Sequence, residues 1–310
     1  MKASVICTAA REGFRGFLYE PAVPSGRCML VLIGDDGNDL MDTACARWLV
    51  RHQDCAALCL ALRQDAQEDP GINLWNLNII SVAADWLKSR GFVRIGICGM
   101  SMQAVIALSA SARIPEISLV LAFSPCDYVP WGFRHGLIGD SKNAEYPTGK
   151  SLLTWKGQPL PFEPAGQSPE EYWKMFEADT GTYREPHSKG VFEFAEQHSP
   201  IPPEAFIPAE NIRGAVILVG AEDDSMWNST RYIQRLRSRL RDREFIFPLK
   251  TFTFAYGTHL LVPQRMLTEA IPVLGNLVSL LYRSGRRHFF RCRSARLQLD
   301  RKLSCYLQNW

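Results

Sequence analysis

The chain has 310 residues, of which 46% are hydrophobic and 22% are charged. This ordinary globular composition excludes a disordered, collagen-like or coiled-coil protein, and the length suits a single α/β domain. The net charge of +3 is too balanced to predict nucleic-acid binding. No uncharged apolar stretch reaches the ~18 residues of a membrane span, so none is expected.

The basic residues are concentrated at the C-terminus. Residues 283–310 contain eight basic side chains and one acid, so this tail carries +7 and the rest of the chain sums to −4. Such a stretch can bind anions, but it is more often the solvated face of a helix. We therefore expect the arginines of the tail to lie in solvent, with Leu297, Leu303 and Leu307 of a terminal helix packing against the fold.

The nine cysteines are odd in number, include no C-x-x-C pair and in several cases lie inside apolar runs. This usage is typical of reduced, buried thiols rather than of a disulfide framework. The N-terminal sequence MKASVICTAAREGF lacks the long apolar segment of a signal peptide. Together these features predict a cytoplasmic protein.

The first 125 residues alternate short β-rich runs with helical ones. The elements predicted, in chain order, are a hairpin (4–10 and 15–21), a strand (28–34), a helix (39–52), a strand (55–62), a turn (69–71), a helix (74–90), a strand (93–99), a helix (102–113) and a strand (118–125). Strands without hydrophobic alternation that are separated by helices indicate βαβ units in one open, mostly parallel sheet.

This alternation stops at Cys126 and resumes only after Ala209. The intervening 126–209 segment is rich in Pro, Gly and aromatic residues and is too long for an ordinary connection. We expect it to be a cap inserted into a single α/β domain that spans 1–310. The elements predicted after it are a strand (215–220), a helix (229–241), a strand (248–256) and helices near 263–283 and 293–308.

A candidate nucleophile lies in VRIGICGMSMQAVIAL, where a strand, a tight turn and a helix follow one another. The turn places Ser101 above the carboxyl edge of the sheet, as in the G-x-S-x-G nucleophile elbow of α/β-hydrolases. Gln103 stands where that motif has its second Gly, so the literal motif is broken. A helix-capping serine is the alternative interpretation.

A serine nucleophile requires a base and a group that orients the base, and in this fold they follow in the order Ser, acid, His. The strand at 215–220 is followed by Asp223 and Asp224, and the strand at 248–256 is followed by His259. The other histidines lie in a helix before the serine, in the insert or in the tail. We therefore predict Ser101 and His259 as catalytic residues, with Asp223 or Asp224 as the acid.

The stabilisation of the oxyanion requires backbone N–H donors. In this fold they come from the residue after the nucleophile, here Met102, and from the loop that begins at Gly34, with Asp35 as the candidate. The same Gly-Asp-rich loop can also be a plain turn. His288 and Cys292 are spaced for one helix face, but two ligands do not make a zinc site, so no metal and no cofactor are predicted.

These residues resemble the C-terminal domain of the acyl-CoA thioesterase and bile acid-CoA:amino acid N-acyltransferase family, in particular its bacterial members similar to dienelactone hydrolase. The similarity spans about residues 10–282. Four stretches carry it: Gly99 to Met102, SLLTWKGQPLPFEP (151–164), IPAENIRGAVILVGAEDDSMWNS (207–229) and Tyr256 to His259. The resemblance implies an α/β-hydrolase fold and a Ser101, His259 and Asp triad. Matching its D-x-x-W-x-S run places the acid at Asp224.

The chain departs from this family at several positions. It begins directly at the hydrolase sheet, where the mammalian enzymes have an additional N-terminal domain. The loop after the strand at 28–34 reads Gly-Asp-Asp-Gly-Asn instead of a Gly-Gly-Ser-Asp-like sequence, which leaves the oxyanion donors open. The candidates for lining the substrate pocket are Gly34, Gln103, Trp155 and Trp227.

The resulting hypothesis is a serine hydrolase of acyl thioesters or esters whose substrate is a small acyl compound. Two alternatives stay open: an acyltransferase that passes the acyl group to an amine or a hydroxyl, and a non-catalytic binding protein on the same scaffold. Family members that conjugate amino acids use Cys as nucleophile, so Ser101 favours hydrolysis. The oligomeric state is not predicted.

Overall fold

The structure, a computed structural model, describes residues 1–64, 72–133, 147–164, 169–183, 185 and 187–310. The turn predicted at 69–71 and parts of the predicted cap lie outside these residues. Among the described residues, no helix combines the length and the apolar character that crossing a bilayer requires.

The strands of the described residues are β1 (Val5–Cys7), β2 (Gly16–Tyr19), β3 (Arg27–Leu32), β4 (Ala56–Leu60), β5 (Trp75–Asn76), β6 (Arg94–Met100), β7 (Ile117–Phe123), β8 (Trp131–Phe133), β9 (Pro147–Ser151), β10 (Leu153–Trp155), β11 (Gln158–Pro159), β12 (Ala215–Ala221) and β13 (Leu249–Phe254). The α-helices are α1 (Ala9–Glu12), α2 (Leu40–His52), α3 (Asn78–Ser89), α4 (Met102–Ser111), α5 (Pro169–Tyr183), α6 (Lys189–His198), α7 (Ser229–Asp242), α8 (Gln264–Ala270), α9 (Arg283–Arg287) and α10 (Phe289–Asn309). Short 3₁₀ helices lie at Pro203–Ala205, Ala209–Asn211, Leu274–Asn276 and Val278–Leu281.

The main sheet has eight strands in the order β1-β2-β4-β3-β6-β7-β12-β13. Strands β1 and β2 pair antiparallel at one edge, and every pair from β4 to β13 is parallel. Strand β6, which leads to Ser101, therefore lies inside the sheet between β3 and β7. Parallel strands end at one common edge, so the segments that follow β3, β6, β12 and β13 meet there.

Successive residues of the central strands face two apolar layers. In β3, Leu30 and Leu32 belong to the layer that also contains residues of α3, α4 and α7. Met29 and Val31 of the same strand belong to the opposite layer, which contains residues of α2, α8 and α10. Because both faces of the sheet are covered by helices, its strands are nearly uniformly apolar rather than alternating.

The 126–209 segment forms smaller elements in its described part. Strands β8 and β9 pair with each other, and β10 pairs with β11 and with β5. Strand β5 comes from residues for which the sequence predicted a helix beginning at 74. That helix, α3, begins only at Asn78, because Trp75 pairs with Leu153 and its indole donates to the carbonyl of Leu62.

The C-terminal region also differs from the prediction. The helix expected near 263–283 ends at Ala270 and is followed by two 3₁₀ helices and α9. Helix α10 begins earlier than predicted and buries Leu299, Leu303 and Leu307. Two of the leucines expected to pack, Leu303 and Leu307, do so fully, whereas Leu297 is only half-buried.

Candidate active site

Ser101 lies in a sharp turn between β6 and α4. Its φ of 60° and ψ of −126° are unusual for a residue that carries a side chain. Its backbone N–H donates to the carbonyl of Phe123, which fixes the turn to the end of β7. A Cβ at Gly99 would lie 2.2 Å from the carbonyl oxygen of Gln103, so glycine permits the close approach of α4 to β6. This geometry matches the strained strand-turn-helix elbow expected around the serine.

His259 and Asp224 form a buried pair at the same edge of the sheet. The imidazole Nδ1 of His259 lies 2.9 Å from Oδ1 of Asp224. The exposed fractions of the two residues are 5% and 2%. The same carboxylate oxygen accepts N–H bonds from Met226 at 2.9 Å and Trp227 at 3.4 Å. A carboxylate held in this way fixes the tautomer and the orientation of the imidazole and leaves Nε2 for proton transfer.

Asp223 has a different environment from Asp224. Its Oδ1 accepts the backbone N–H groups of Gly257 and Thr258 at 2.9 and 2.8 Å, and its Oδ2 accepts the hydroxyl of Ser284. Burial raises the pKa of Asp223, and the three hydrogen bonds oppose that rise. Asp223 thus holds the backbone of the loop that carries His259, whereas Asp224 contacts the ring itself.

Two further residues fix His259 in place. The hydroxyl of Ser124 donates to the carbonyl oxygen of His259 at 2.8 Å, and the indole N–H of Trp227 donates to the carbonyl of Ser124 at 3.0 Å. The indole and imidazole rings meet edge to face, with centroids 5.6 Å apart. Since Ser124 follows β7, which lies between β6 and β12, it joins the Ser101 side of the sheet to the His259 side.

The loop after β3 has its N–H groups turned towards helix α2. The N–H of Asp35 donates to Oδ2 of Asp39 at 2.8 Å, and the N–H of Gly34 donates to Oδ1 of Asp42 at 2.9 Å. Asp39 is also the N-cap of α2, accepting the N–H groups of Met41 and Asp42. The donor predicted at Asp35 is therefore already bonded to a carboxylate in this conformation.

Asp42 is fully buried beneath this loop. Burial and the neighbouring charge of Asp39 raise the pKa of Asp42 to about 8. A Cβ at Gly34 would lie 1.7 Å from Oδ2 of Asp39, so a larger residue at this position would displace that capping carboxylate. Neither Asp39 nor Asp42 was singled out from the sequence, although an Asp before an apolar helical run is an N-cap signal that could have identified Asp39.

Of the remaining candidates, Met102, Gln103 and Trp227 adjoin the site, and Trp155 does not. Gln103 lies beside the loop, with its side-chain amide 3.4 Å from Oδ1 of Asp35. Met102 is the first residue of α4, so its N–H is one of the helix-terminal donors that have no intrahelical acceptor. Trp155 lies in β10 of the smaller sheet, half-buried, with the ammonium of Lys156 5.8 Å from its ring. Trp227 therefore adjoins the acid and the imidazole, whereas Trp155 belongs to a different sheet.

The described residues contain no group of three or more His, Cys, Asp or Glu side chains that could hold a metal ion. His288 instead lies against Tyr256, with ring centroids 4.4 Å apart. All nine cysteines are free thiols, and only Cys305 is exposed. Burial raises the pKa of Cys126 and of Cys59 well above the ordinary value, so neither thiol is poised to be a nucleophile.

Several solved structures are similar to this chain. The carboxylesterase Cest-2923 from Lactobacillus plantarum WCFS1 is 12% identical, with a TM-score of 0.50, and the alignment covers 96% of this chain and 92% of that one. The esterase PF2001 from Pyrococcus furiosus is 13% identical, with a TM-score of 0.47 and coverages of 93% and 96%. The type II thioesterase BorB from the borrelidin biosynthetic cluster is 17% identical, with a TM-score of 0.43 and coverages of 86% and 96%. The protein has the α/β-hydrolase fold, as its sequence predicts.

Part of the sequence also matches the model of one protein family. Residues 164–266 match the model described as BAAT / Acyl-CoA thioester hydrolase C terminal. The resemblance predicted from the sequence is confirmed over this segment, which contains Asp224, Trp227 and His259. No curated protein matches the chain.

Proposed function

We propose that this protein is a serine hydrolase that cleaves acyl thioesters or esters through Ser101, His259 and Asp224. One observation carries the proposal: a buried imidazole paired with Asp224 lies at the sheet edge where Ser101 occupies a strained elbow. The three residues follow β6, β12 and β13 in the chain order of α/β-hydrolases. The match of residues 164–266 to acyl-CoA thioester hydrolases supports a thioester or ester as the bond cleaved.

In the proposed reaction, Ser101 Oγ attacks the carbonyl carbon of the substrate while its proton passes to Nε2 of His259. The tetrahedral intermediate collapses, the bond to the thiol or alcohol breaks, and that leaving group takes the proton from His259. Water then attacks the acyl-serine ester by the same route, which releases the carboxylic acid and restores Ser101. Asp224 stays ionised and stabilises the imidazolium that forms in each half-reaction.

The oxyanion of the intermediate needs donors, for which we propose the N–H groups of Met102 and Asp35. The N–H of Met102 is available at the start of α4. The N–H of Asp35 first has to leave the carboxylate of Asp39. In this proposal the binding of an acyl substrate shifts the loop that begins at Gly34.

We also propose residues 126–209 as a cap that shapes the acyl pocket, which includes Gln103 and Trp227. A series of ring contacts supports this: Trp131 packs against Tyr172 and stacks on Phe192, and Phe192 packs against Trp227. Through Trp227 the series reaches His259. The free, mostly buried cysteines suit a reducing compartment, which supports a cytoplasmic location as part of the proposal.

The direct test combines a fluorophosphonate probe with hydrolysis assays on aryl esters and acyl-CoA. We expect the probe to label Ser101, and Ser101→Ala to abolish both labelling and turnover while the thermal unfolding midpoint stays unchanged. Ser89→Ala, at an exposed helix end, is the matched control and should retain both activities. Turnover by Ser101→Ala at the wild-type rate would refute the triad.

A non-catalytic binding protein is the second candidate. The specific observation in its favour is that the N–H of Asp35 donates to Asp39 rather than facing Ser101 as a free donor. Absence of probe labelling, together with retained affinity of Ser101→Ala for an acyl ligand, would favour this candidate over a hydrolase.

A further inference from the structure

An arginine-rich segment without acids borders the candidate site. Residues 270–299 contain six arginines and neither Asp nor Glu. The prediction that the arginines of the tail lie in solvent is wrong for Arg296, which is buried and donates to Gln264, and the others are exposed. No carboxylate among the described residues forms an ion pair with Arg286, Arg287 or Arg291. The charges of these three arginines are therefore not neutralised by any carboxylate of the described residues.

The same segment exposes large apolar side chains. Leu277, Leu280 and Leu281 have exposed fractions of 42%, 39% and 58%, and Phe290 reaches 81%. Single exposed leucines need no explanation, but several within one short stretch indicate an interaction surface. The local backbone consists of a 3₁₀ helix followed by α9, and neither element turns these side chains into the core.

Hydrogen bonds join the cationic and apolar residues into one surface. The guanidinium of Arg286 donates to the carbonyl oxygens of Leu280 and Leu281 at 3.1 and 3.2 Å. Arg287 follows directly and has no hydrogen-bond or ion-pair partner among the described residues. Leucines with an adjacent, uncompensated guanidinium group form an amphipathic surface. We call the set of Leu277, Leu280, Leu281, Arg286 and Arg287 the Leu-Arg face.

The Leu-Arg face lies at the carboxyl edge of the sheet. Ser284 in α9 donates to Asp223, and the backbone N–H of Arg283 donates to the carboxylate of Glu185. His288, at the end of α9, packs on Tyr256 three residues before His259. These contacts fix the face beside the loop that carries the candidate catalytic histidine.

We propose that the Leu-Arg face docks this protein onto the surface of an anionic phospholipid bilayer. Apolar side chains inserted at the boundary between headgroups and acyl chains, combined with arginines at headgroup level, are the two features that interfacial binding requires. The exposed leucines distinguish this surface from one built for a soluble polyanion, for which apolar side chains contribute nothing. The proposal goes beyond the proposed hydrolase function, because it holds whether or not Ser101 is a nucleophile.

The test is co-sedimentation of the full-length protein with phosphatidylcholine vesicles that contain phosphatidylserine, beside vesicles of phosphatidylcholine alone. We expect partitioning onto the anionic vesicles that weakens with added salt. Leu281→Ser and Arg287→Glu should each lower the partition coefficient at least about fivefold. Ser101→Ala should bind as the wild type does, which separates this test from that of the proposed function.

Matched control residues lie at the amino ends of the parallel strands, opposite the carboxyl edge that carries the Leu-Arg face. Ile246 is 87% exposed and Arg243 is exposed, and both precede β13. Ile246→Ser and Arg243→Glu should sediment like the wild type. Equal sedimentation of all variants, or no preference for anionic vesicles, would overturn the proposal. So would equally tight binding of duplex DNA that Leu281→Ser leaves unchanged, since that result would identify a polyanion site.

Discussion

The two sides of the candidate site are built differently. On one side, Asp224 and His259 are buried and bonded to each other, and Ser124 and Trp227 hold the histidine from behind. On the other side, Asp35 is exposed and its N–H donates to Asp39, away from the proposed role. For the proposed hydrolase, the side with His259 and Asp224 is thus already arranged for proton transfer, whereas the loop with Asp35 has to change its conformation.

This difference has a structural origin. The acid and the histidine follow neighbouring parallel strands, β12 and β13, so the sheet itself sets their distance. The conformation of the loop after β3 is instead set by the N-terminus of α2, where Asp39 and Asp42 accept hydrogen bonds from the N–H groups of the loop. A rigid sheet edge can fix two side chains, but a loop held by carboxylates can change its hydrogen-bond partners. We therefore expect substitutions beside His259 to change kcat strongly, and substitutions in the loop after β3 to have smaller effects that depend on the conditions.

Among the residues of these two sides, the largest effect is expected at Asp224. Asp224→Asn should lower kcat by about 10³ to 10⁴, because the imidazole loses its orienting carboxylate and prefers the wrong tautomer. The measurement is steady-state hydrolysis of an aryl ester, with kcat and KM reported separately.

Asp223→Asn is the matched control for that prediction. Because Asp223 binds backbone N–H groups and Ser284, its loss should lower the thermal unfolding midpoint and reduce kcat far less than the change at Asp224. The reverse ranking of the two variants would transfer the role of the acid to Asp223.

Substitutions of Trp227 measure how much its contacts contribute to the positioning of His259. Trp227→Leu removes the indole bond to Ser124 and the ring beside His259, so we expect kcat to fall about tenfold. Trp227→Phe keeps a ring and should recover part of that loss. The control is Trp48→Leu, a buried tryptophan on the other face of the sheet, which should lose stability and keep its kcat per folded molecule. Equal kcat losses in the two leucine variants would remove the positioning role.

Much of the fold was predictable because burial on both faces leaves a clear signature. The uninterrupted apolar runs that became β3, β4, β6, β7 and β12 could be placed within two residues of their observed bounds. The strand at Trp75 was not predicted because its pairing partner, Leu153, lies far away in the chain, and long-range pairing leaves no local pattern. The break after Ala270 was missed for a similar reason, since 271–283 is apolar enough to suggest a continued helix.

The candidate site was predictable where chain order determines position. Ser101 and His259 follow strands, and the sequence predicts that they share an edge of the sheet. The choice between Asp223 and Asp224 needed the resemblance, because adjacent residues differ only in which way each side chain points. The bond from Ser124 to His259 crosses the fold, and Asp42 accepts N–H groups of the loop before its helix, and a single sequence has no signal for either contact. Asp39 alone of these residues had a signal, that of a helix N-cap.

Asp42 offers a pH test of the loop side. In the folded protein its pKa of about 8 exceeds the ordinary value of 3.8, so between these values the folded state keeps a proton that the unfolded state releases. The free energy of unfolding should therefore fall as the pH rises through this window, by at most about 1.4 kcal/mol per pH unit. Asp42→Asn keeps an acceptor oxygen for Gly34 and removes the titration.

Denaturant unfolding near pH 5 and near pH 8 measures this effect. We expect the stability of Asp42→Asn relative to the wild type to improve by roughly 1–3 kcal/mol between the two conditions. Asp36→Asn, in the same loop and exposed, is the control and should show no such change. A difference between variant and wild type that is independent of pH would show that Asp42 is ionised in the folded protein.

The smallest effect is expected at Gln103. Its amide meets Asp35 across 3.4 Å in a partly exposed position, a weak contact whose loss costs little. We expect Gln103→Gly, which restores the G-x-S-x-G pattern, to change kcat/KM less than about threefold. Gln103→Ala separates the loss of the amide from the cost of glycine in a helix, about 1 kcal/mol. If instead both variants lost roughly a hundredfold in kcat with KM unchanged, the amide of Gln103 would itself be an oxyanion donor. In that case the loop side of the site would already hold a donor in place, as the histidine side holds its acid and base.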